Sequence, residues 1–258
     1  MPKIETVKLK EVVLGEGRPK ICIPLTAKTK EELIVQARIA SNSCADLIEW
    51  RADLFLENLD RDHLLFVLDI VKKSLGSIPL LFTCRTKKEG GGKNFSETEY
   101  ANLNQFAAES GLVDLVDIEA FFGQDQSFVK KMIETIHSFS TPVIASNHEF
   151  HKTPSSKEMV ERMCFMQEIG ADIVKLAVMP VCAKDVLSLL CATEEMVRCF
   201  AVKPIVTMSM GKEGIISRIC GEIFGSALTF GAIGECSAPG QLPADKLKEI
   251  LMILHEGN

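Results

Sequence analysis

Short apolar runs alternate along the chain with longer segments whose apolar residues recur every three or four positions. The short runs are KICIPLT (20–26), ADLIEWR (45–51), IPLLFTCR (78–85), GLVDLVDIE (111–119), TPVIASNH (141–148), ADIVKLAV (171–178), KPIVTMSM (203–210) and SALTFGAI (226–233), which gives eight candidate strands. The segments 30–42, 62–75, 97–110, 127–138, 155–169, 183–200, 214–223 and 244–254 predict helices, several opened by a capping residue such as Thr29, Ser96 or Ser155. Connections this long are not hairpins, so the strands pair in parallel, and eight units in about 250 residues is the count of a (β/α)8 TIM barrel. A doubly wound sheet is the alternative. Residues 4–18 predict two short strands around a turn at LGEG (14–17), an N-terminal β-hairpin covering the bottom of the barrel. No linker composition interrupts the pattern, so residues 1–258 read as a single α/β domain. The stretch KKEGGGKN (87–94) matches neither a dinucleotide fingerprint nor a P-loop and reads as a mobile loop after the third strand.

Composition narrows the functions open to such a barrel. With 47% hydrophobic and 25% charged residues the chain can fill a large core. A net charge of -6 argues against general affinity for nucleic acid or anionic membranes. The N-terminus interleaves charges with short apolar runs, no later stretch is long enough to span a bilayer, and a cytoplasmic location is expected. The nine cysteines are scattered and form no C-x-x-C pair, which fits free thiols in a reducing compartment. The five histidines show no paired spacing, and no metal is expected.

Catalytic groups in a barrel project from the C-terminal ends of the strands. In ADIVKLAV, alternation places Lys175 with Ile173 and Ala177 on the inward face, and Val174 and Leu176 on the face toward the helices. A lysine removed from water loses its proton more readily and becomes a nucleophile toward a carbonyl; a salt-bridged core lysine is the other reading. His148 closes the preceding strand, where an imidazole could exchange protons with the same substrate or serve as a packed hydrogen bonder. His63, His137 and His255 fall in predicted helices and His151 in a loop, away from this end. Glu49 and Arg51 share a strand face, with Trp50 on the other, and could pair or hold substrate hydroxyls. Arg85 ends the third strand, and Glu89 follows it, either as a surface glutamate or as a partner that orients His148. Arg218 follows the seventh strand, and Ser237 and Gln241 the eighth, a set able to clamp a carboxylate.

Six motifs, EWRADLF, RTKKEGG, SNHEF, DIVKLAVMP, TMSMGKEGIISR and SAPGQLP, occur in order along nearly the whole chain. In these the sequence resembles the type I 3-dehydroquinate dehydratases of the shikimate pathway. The resemblance implies a (β/α)8 barrel that converts 3-dehydroquinate to 3-dehydroshikimate by syn dehydration through a lysine imine, with no cofactor and usually as a homodimer. It further implies Lys175 as the imine lysine, His148 as acid and base, Glu89 as its orienting partner and Arg218 as the carboxylate anchor. Glu49, Arg51, Arg85, Met208, Met210, Phe230, Ser237, Ala238 and Gln241 fall at positions similar to those lining the family's pocket. Pro24 departs from the pattern, since many relatives carry there a serine that contacts substrate. The loop 234–242, with Gly234, Pro239 and Gly240 inside it and Pro243 after it, is the candidate lid. The rival readings are an imine-forming aldolase acting on a sugar phosphate and a binding protein that has lost turnover. Side chains rather than backbone amides after the last two strands favour a carboxylate over a phosphate.

Overall fold

The computed structural model describes residues 2–123, 125–234 and 237–257. An antiparallel hairpin of β1 (Val7–Leu9) and β2 (Val12–Leu14) comes first. There follow β3 (Lys20–Leu25), α1 (Lys30–Ser41), β4 (Leu47–Arg51), α2 (Arg61–Leu75), β5 (Leu80–Thr83), α3 (Glu97–Glu109), β6 (Leu115–Glu119) and α4 (Gln126–His137). The second half contains β7 (Val143–Glu149), α5 (Ser156–Glu168), β8 (Ile173–Val178), α6 (Ala183–Cys199), β9 (Ile205–Ser209), α7 (Ile215–Ile219), α8 (Gly221–Phe224), β10 (Leu228–Ala232), β11 (Leu242–Pro243) and α9 (Ala244–Glu256).

Strands β3 to β9 pair in parallel in sequence order, and β10 pairs with β3. A bridge between Ile205 and Ser226, with the Ala227 N–H donating to the Ile205 carbonyl at 2.7 Å, joins β9 to the approach of β10. The ring is therefore closed, and the doubly wound alternative is excluded. The predicted caps form: Thr29, Ser96 and Ser155 accept from the backbone N–H groups of Glu32, Glu99 and Glu158, and Ser96 with Glu99 completes a capping box. The helix expected over 214–223 is broken at Cys220 into α7 and α8.

Period-two alternation organises the barrel interior. One apolar side chain from each strand, Cys22, Leu47, Leu81, Leu115, Ile144, Ile173, Val206 and Leu228, fills the bottom. Leu9 and Leu14 of the hairpin join this cluster and close it from below. The turn of that hairpin lies at Lys10–Glu11, however, and not at LGEG. Lys10 adopts φ 54 there and donates through Nζ to the Ile78 carbonyl at 3.1 Å, which holds an unusual conformation for a non-glycine residue. Two residues further along, the inward positions of five strands become polar, with Glu49, Thr83, Asp117, Ser146 and Lys175 all buried, while β3, β9 and β10 carry Pro24, Met208 and Phe230 at the equivalent positions. The opposite strand faces carry Trp50, Phe82, Val116, Ala145, Val174 and Leu176 into the core shared with the helices.

The segment 87–94 is tied down rather than free. Its first residues make a turn of 3-10 helix (Lys87–Glu89), the Gly91 N–H donates to the Thr86 carbonyl at 2.7 Å, and the Gly92 N–H donates to Asp53 Oδ2 at 2.9 Å. Its glycines serve close approach: a Cβ on Gly91 would lie 1.9 Å from the Arg85 carbonyl oxygen.

Candidate active site

A cavity opens at the C-terminal ends of the strands. Its walls include Lys175, His148 and Glu89, together with Glu49, Arg51, Arg85, Met208, Met210, Arg218, Phe230, Ser237, Ala238 and Gln241. The fold thus brings the candidate catalytic and pocket-lining residues named in the sequence to one place. Gly90, Phe150 and Ala177 also line it. Phe150 stacks on the His148 ring with centroids 6.5 Å apart, and a Cβ on Gly90 would lie 2.3 Å from the Phe150 ring. Pro24 is half-buried on β3 in register with Glu49 and lines a separate cavity with Thr26 and Gln36.

Lys175 sits in the middle of β8 because an apolar strand leaves its ammonium no route to solvent; it is 3% exposed. Its Nζ donates to Asp117 Oδ2 at 3.2 Å, lies 3.9 Å from Glu49 Oε1 and stands 4.5 Å above the Phe230 ring. Asp117 in turn accepts from Arg85 at 2.7 Å and from the Ser146 hydroxyl at 2.6 Å. Burial alone would raise the Asp117 carboxyl, but the Arg85 and Lys175 cations outweigh it and hold the group below its ordinary range.

Arg85 is committed to this network. Besides Asp117 it donates to Glu119 at 3.2 Å and to Ser146 at 2.8 Å, while Glu119 also accepts from the Thr86 N–H and hydroxyl. Burial works against its charge, yet the Asp117 and Glu119 carboxylates hold the Arg85 guanidinium protonated well beyond its usual range. Glu49 and Arg51 do not pair with each other. Glu49 accepts from the Thr83 hydroxyl at 2.9 Å, and Arg51 makes a two-pronged contact of 2.8 Å with each oxygen of Asp53.

Glu89 is buried, not a surface group. One of its oxygens accepts the His148 backbone N–H at 2.8 Å and lies 2.9 Å from His148 Nδ1; the other accepts from Asn147 Nδ2 at 3.0 Å. Burial and the nearby Glu119 push the Glu89 carboxyl up to about 8, against the pull of Arg85, Asn147 and the His148 N–H. Burial, with the Arg85, Lys175 and Arg51 cations, keeps the His148 ring well below the usual imidazole range. The ring is therefore neutral at physiological pH, the state a proton acceptor requires.

Arg218 is 1% exposed, its position on α7 placing the guanidinium under the loop that follows β10. It donates to the Pro239 carbonyl at 2.9 Å, and the Gly211 N–H donates to the same carbonyl at 3.2 Å. Ser237 and Gln241 brace one another, with the Ser237 N–H donating to Gln241 Oε1 at 2.9 Å and Gln241 Nε2 donating to Ser237 Oγ at 2.8 Å. The described part of the candidate lid thus forms one wall of the cavity. Glu235 and Cys236, also in that loop, lie outside the described residues.

The sequence reading missed Asp53, Asp117, Glu119, Ser146 and Asn147. The signal available was parity: in LVDIE, Asp117 and Glu119 fall in step with the inward Leu115. The other histidines lie elsewhere, His137 beside Asp172 at 2.7 Å and His255 beside Glu222 at 2.7 Å. Among the described residues no group of three or more His, Cys, Asp or Glu is placed to hold a metal ion, and no helix is long and apolar enough to cross a membrane.

Residues 21–258 match the family model for type I 3-dehydroquinase. The chain is 47% identical over 251 residues to the 3-dehydroquinate dehydratase of Clostridioides difficile (strain 630), covering 97% of each chain. It is 45% identical over 253 residues to that of Salmonella typhimurium (strain LT2), covering 98% of this chain and 100% of the relative. Among solved structures it is similar to type I 3-dehydroquinate dehydratase from Clostridium difficile with covalently modified comenic acid, with a TM-score of 0.94 at 46% identity and 99% of each chain covered. The enzyme from Geobacillus kaustophilus superposes with a TM-score of 0.93 at 36% identity, covering 98% of this chain and 97% of that one.

Proposed function

The chain belongs to the type I 3-dehydroquinase family, and on that premise we propose that it is a hydro-lyase converting 3-dehydroquinate to 3-dehydroshikimate and water through an imine on Lys175. The observation that carries the reading is the sharing of one cavity by the Lys175 amine, the Glu89-bound His148 ring and the Arg218 guanidinium.

In this mechanism Arg218 anchors the substrate carboxylate, helped by Ser237 and Gln241, and so delivers the ketone to Lys175. The amine adds to the carbonyl carbon, and loss of water leaves a protonated imine, with Asp117 and Glu49 as counter-charges beside it. The cationic nitrogen acts as an electron sink for the neighbouring carbon. His148 removes a proton there to give an enamine, then returns a proton to the departing hydroxyl on the same face, which makes the elimination syn. Hydrolysis of the product imine consumes the water released when it formed and frees Lys175, so one water is the net yield. Glu89 holds the ring in place throughout.

The same reading takes residues 1–258 as one catalytic unit acting in the cytoplasm with no cofactor. It pairs with a second copy through apolar residues exposed on the last helices, namely Ile216, Ile223 and Ile253. The test of the activity is the ultraviolet absorbance of the conjugated product after 3-dehydroquinate is added. A rise proportional to enzyme is expected, and no rise would reopen the aldolase and binding-protein readings.

A further inference from the structure

We propose that Arg162, acting through the Asn147 side chain, is a positioning residue that sets which nitrogen of the His148 ring is free to take a proton. The proposal rests on the role given to His148 above and extends it to two residues that do not line the cavity.

A carboxamide has two ends of similar shape, one accepting and one donating, and which end meets Glu89 has chemical consequences. Arg162 can only donate, and its NH1 lies 2.9 Å from Asn147 Oδ1. That contact turns the oxygen toward α5 and leaves Nδ2 to donate to Glu89 Oε1 at 3.0 Å. Arg162 is itself held by Glu158, one turn earlier on the helix, and by the Phe121 ring 6.0 Å away.

The charged groups facing the Glu89–His148 pair are Arg85 at the end of β5, Glu119 on β6, Lys175 on β8 and Arg51 on β4. Within that field the N–H of Asn147 favours the carboxylate form of Glu89. When the carboxyl is protonated, its O–H donates to His148 Nδ1, and the ring proton sits on Nε2, which then cannot accept. Ionising the pair moves the carboxyl proton to Nδ1 and releases the Nε2 proton to solvent, leaving a bare Nε2. A reversed amide would present oxygen to Glu89 and hold the pair in the first form.

Nitrogen-15 NMR of labelled histidine, recorded without substrate across roughly pH 6 to 10, reads the protonation of Nε2 directly. In Arg162→Met the midpoint should move upward by about half a unit, the size of one weakened hydrogen bond to a carboxylate. The acid limb of the kcat profile should move with it, kcat below the midpoint should fall about threefold with KM little changed, and Arg162→Lys should restore both because an ammonium also donates to Oδ1. Asn147→Asp, which sets an acceptor against Glu89 permanently, should move the midpoint further in the same direction. A midpoint unchanged in Arg162→Met, or unmoved or lowered in Asn147→Asp, overturns the proposal. The ring is read with no turnover, so that failure is distinct from full activity in His148→Ala, which would remove the role on which the proposal builds.

Discussion

Lys175 Nζ lies 3.2 Å from Asp117 Oδ2, and both side chains are buried on inward positions of β8 and β6, the two strands that flank β7. The carboxylate compensates for two cations, since Arg85 contacts its other oxygen at 2.7 Å. Asp117→Asn leaves both without that charge and should cost about 3–5 kcal/mol of stability, the usual consequence of removing one member of a buried pair. The folded-state pKa of Asp117 is lowered, so its stabilisation is complete above the ordinary aspartate value of 3.8 and is lost as pH falls through the lowered one. Urea unfolding of both proteins should show a gap at neutral pH that narrows in acid. A gap independent of pH would mean that the charge is not the source.

Glu89 has the opposite linkage. Its folded-state value of about 8 lies above the ordinary 4.5, so the native protein holds an extra proton between these and loses stability as pH rises through that window. Glu89→Gln carries no such titration. The melting temperature of the variant minus that of the native protein should therefore become more positive from pH 5 to pH 9, as measured by calorimetry at each end. A constant difference would show that Glu89 does not titrate in this window.

In the proposed mechanism Arg218 offers a planar fork to the substrate carboxylate, and it also donates to the Pro239 carbonyl at 2.9 Å. Arg218→Lys keeps the charge but not the fork. Losing one charged hydrogen bond should cost about 1.5–3 kcal/mol, a fall in kcat/KM of roughly 10- to 150-fold. Steady-state kinetics equal to those of the native enzyme would remove Arg218 from the site.

How far the sequence was legible follows from the range of the interactions involved. Lys175 could be aimed inward from ADIVKLAV because strand parity is local, and the eight-unit barrel followed from repeating that reading. The hairpin turn was misplaced because glycines mark turns by default. Here Gly15 (φ 97) lies where an added Cβ would come 3.0 Å from the Pro204 ring, while Lys10 takes the turn with its side chain anchored at the Ile78 carbonyl. The glycines of 87–94 misled in the same way, since what fixes them is contact with Arg85 and Phe150, distant in sequence or invisible in composition. Arg85 could be placed at the end of its strand from the residues and in the pocket from the resemblance, but nothing local reveals that Asp117, Glu119 and Ser146, from two other strands, surround it.

The central claim is that Lys175 forms the covalent bond and His148 processes it, and mass spectrometry after borohydride reduction in the presence of 3-dehydroquinate tests it most directly. The native enzyme and His148→Ala should both gain a stable mass on the peptide containing Lys175, while turnover by His148→Ala falls about a hundredfold to ten-thousandfold. Lys175→Ala should show neither label nor appreciable product. A label on any other residue, or normal turnover by His148→Ala, would contradict the assignment.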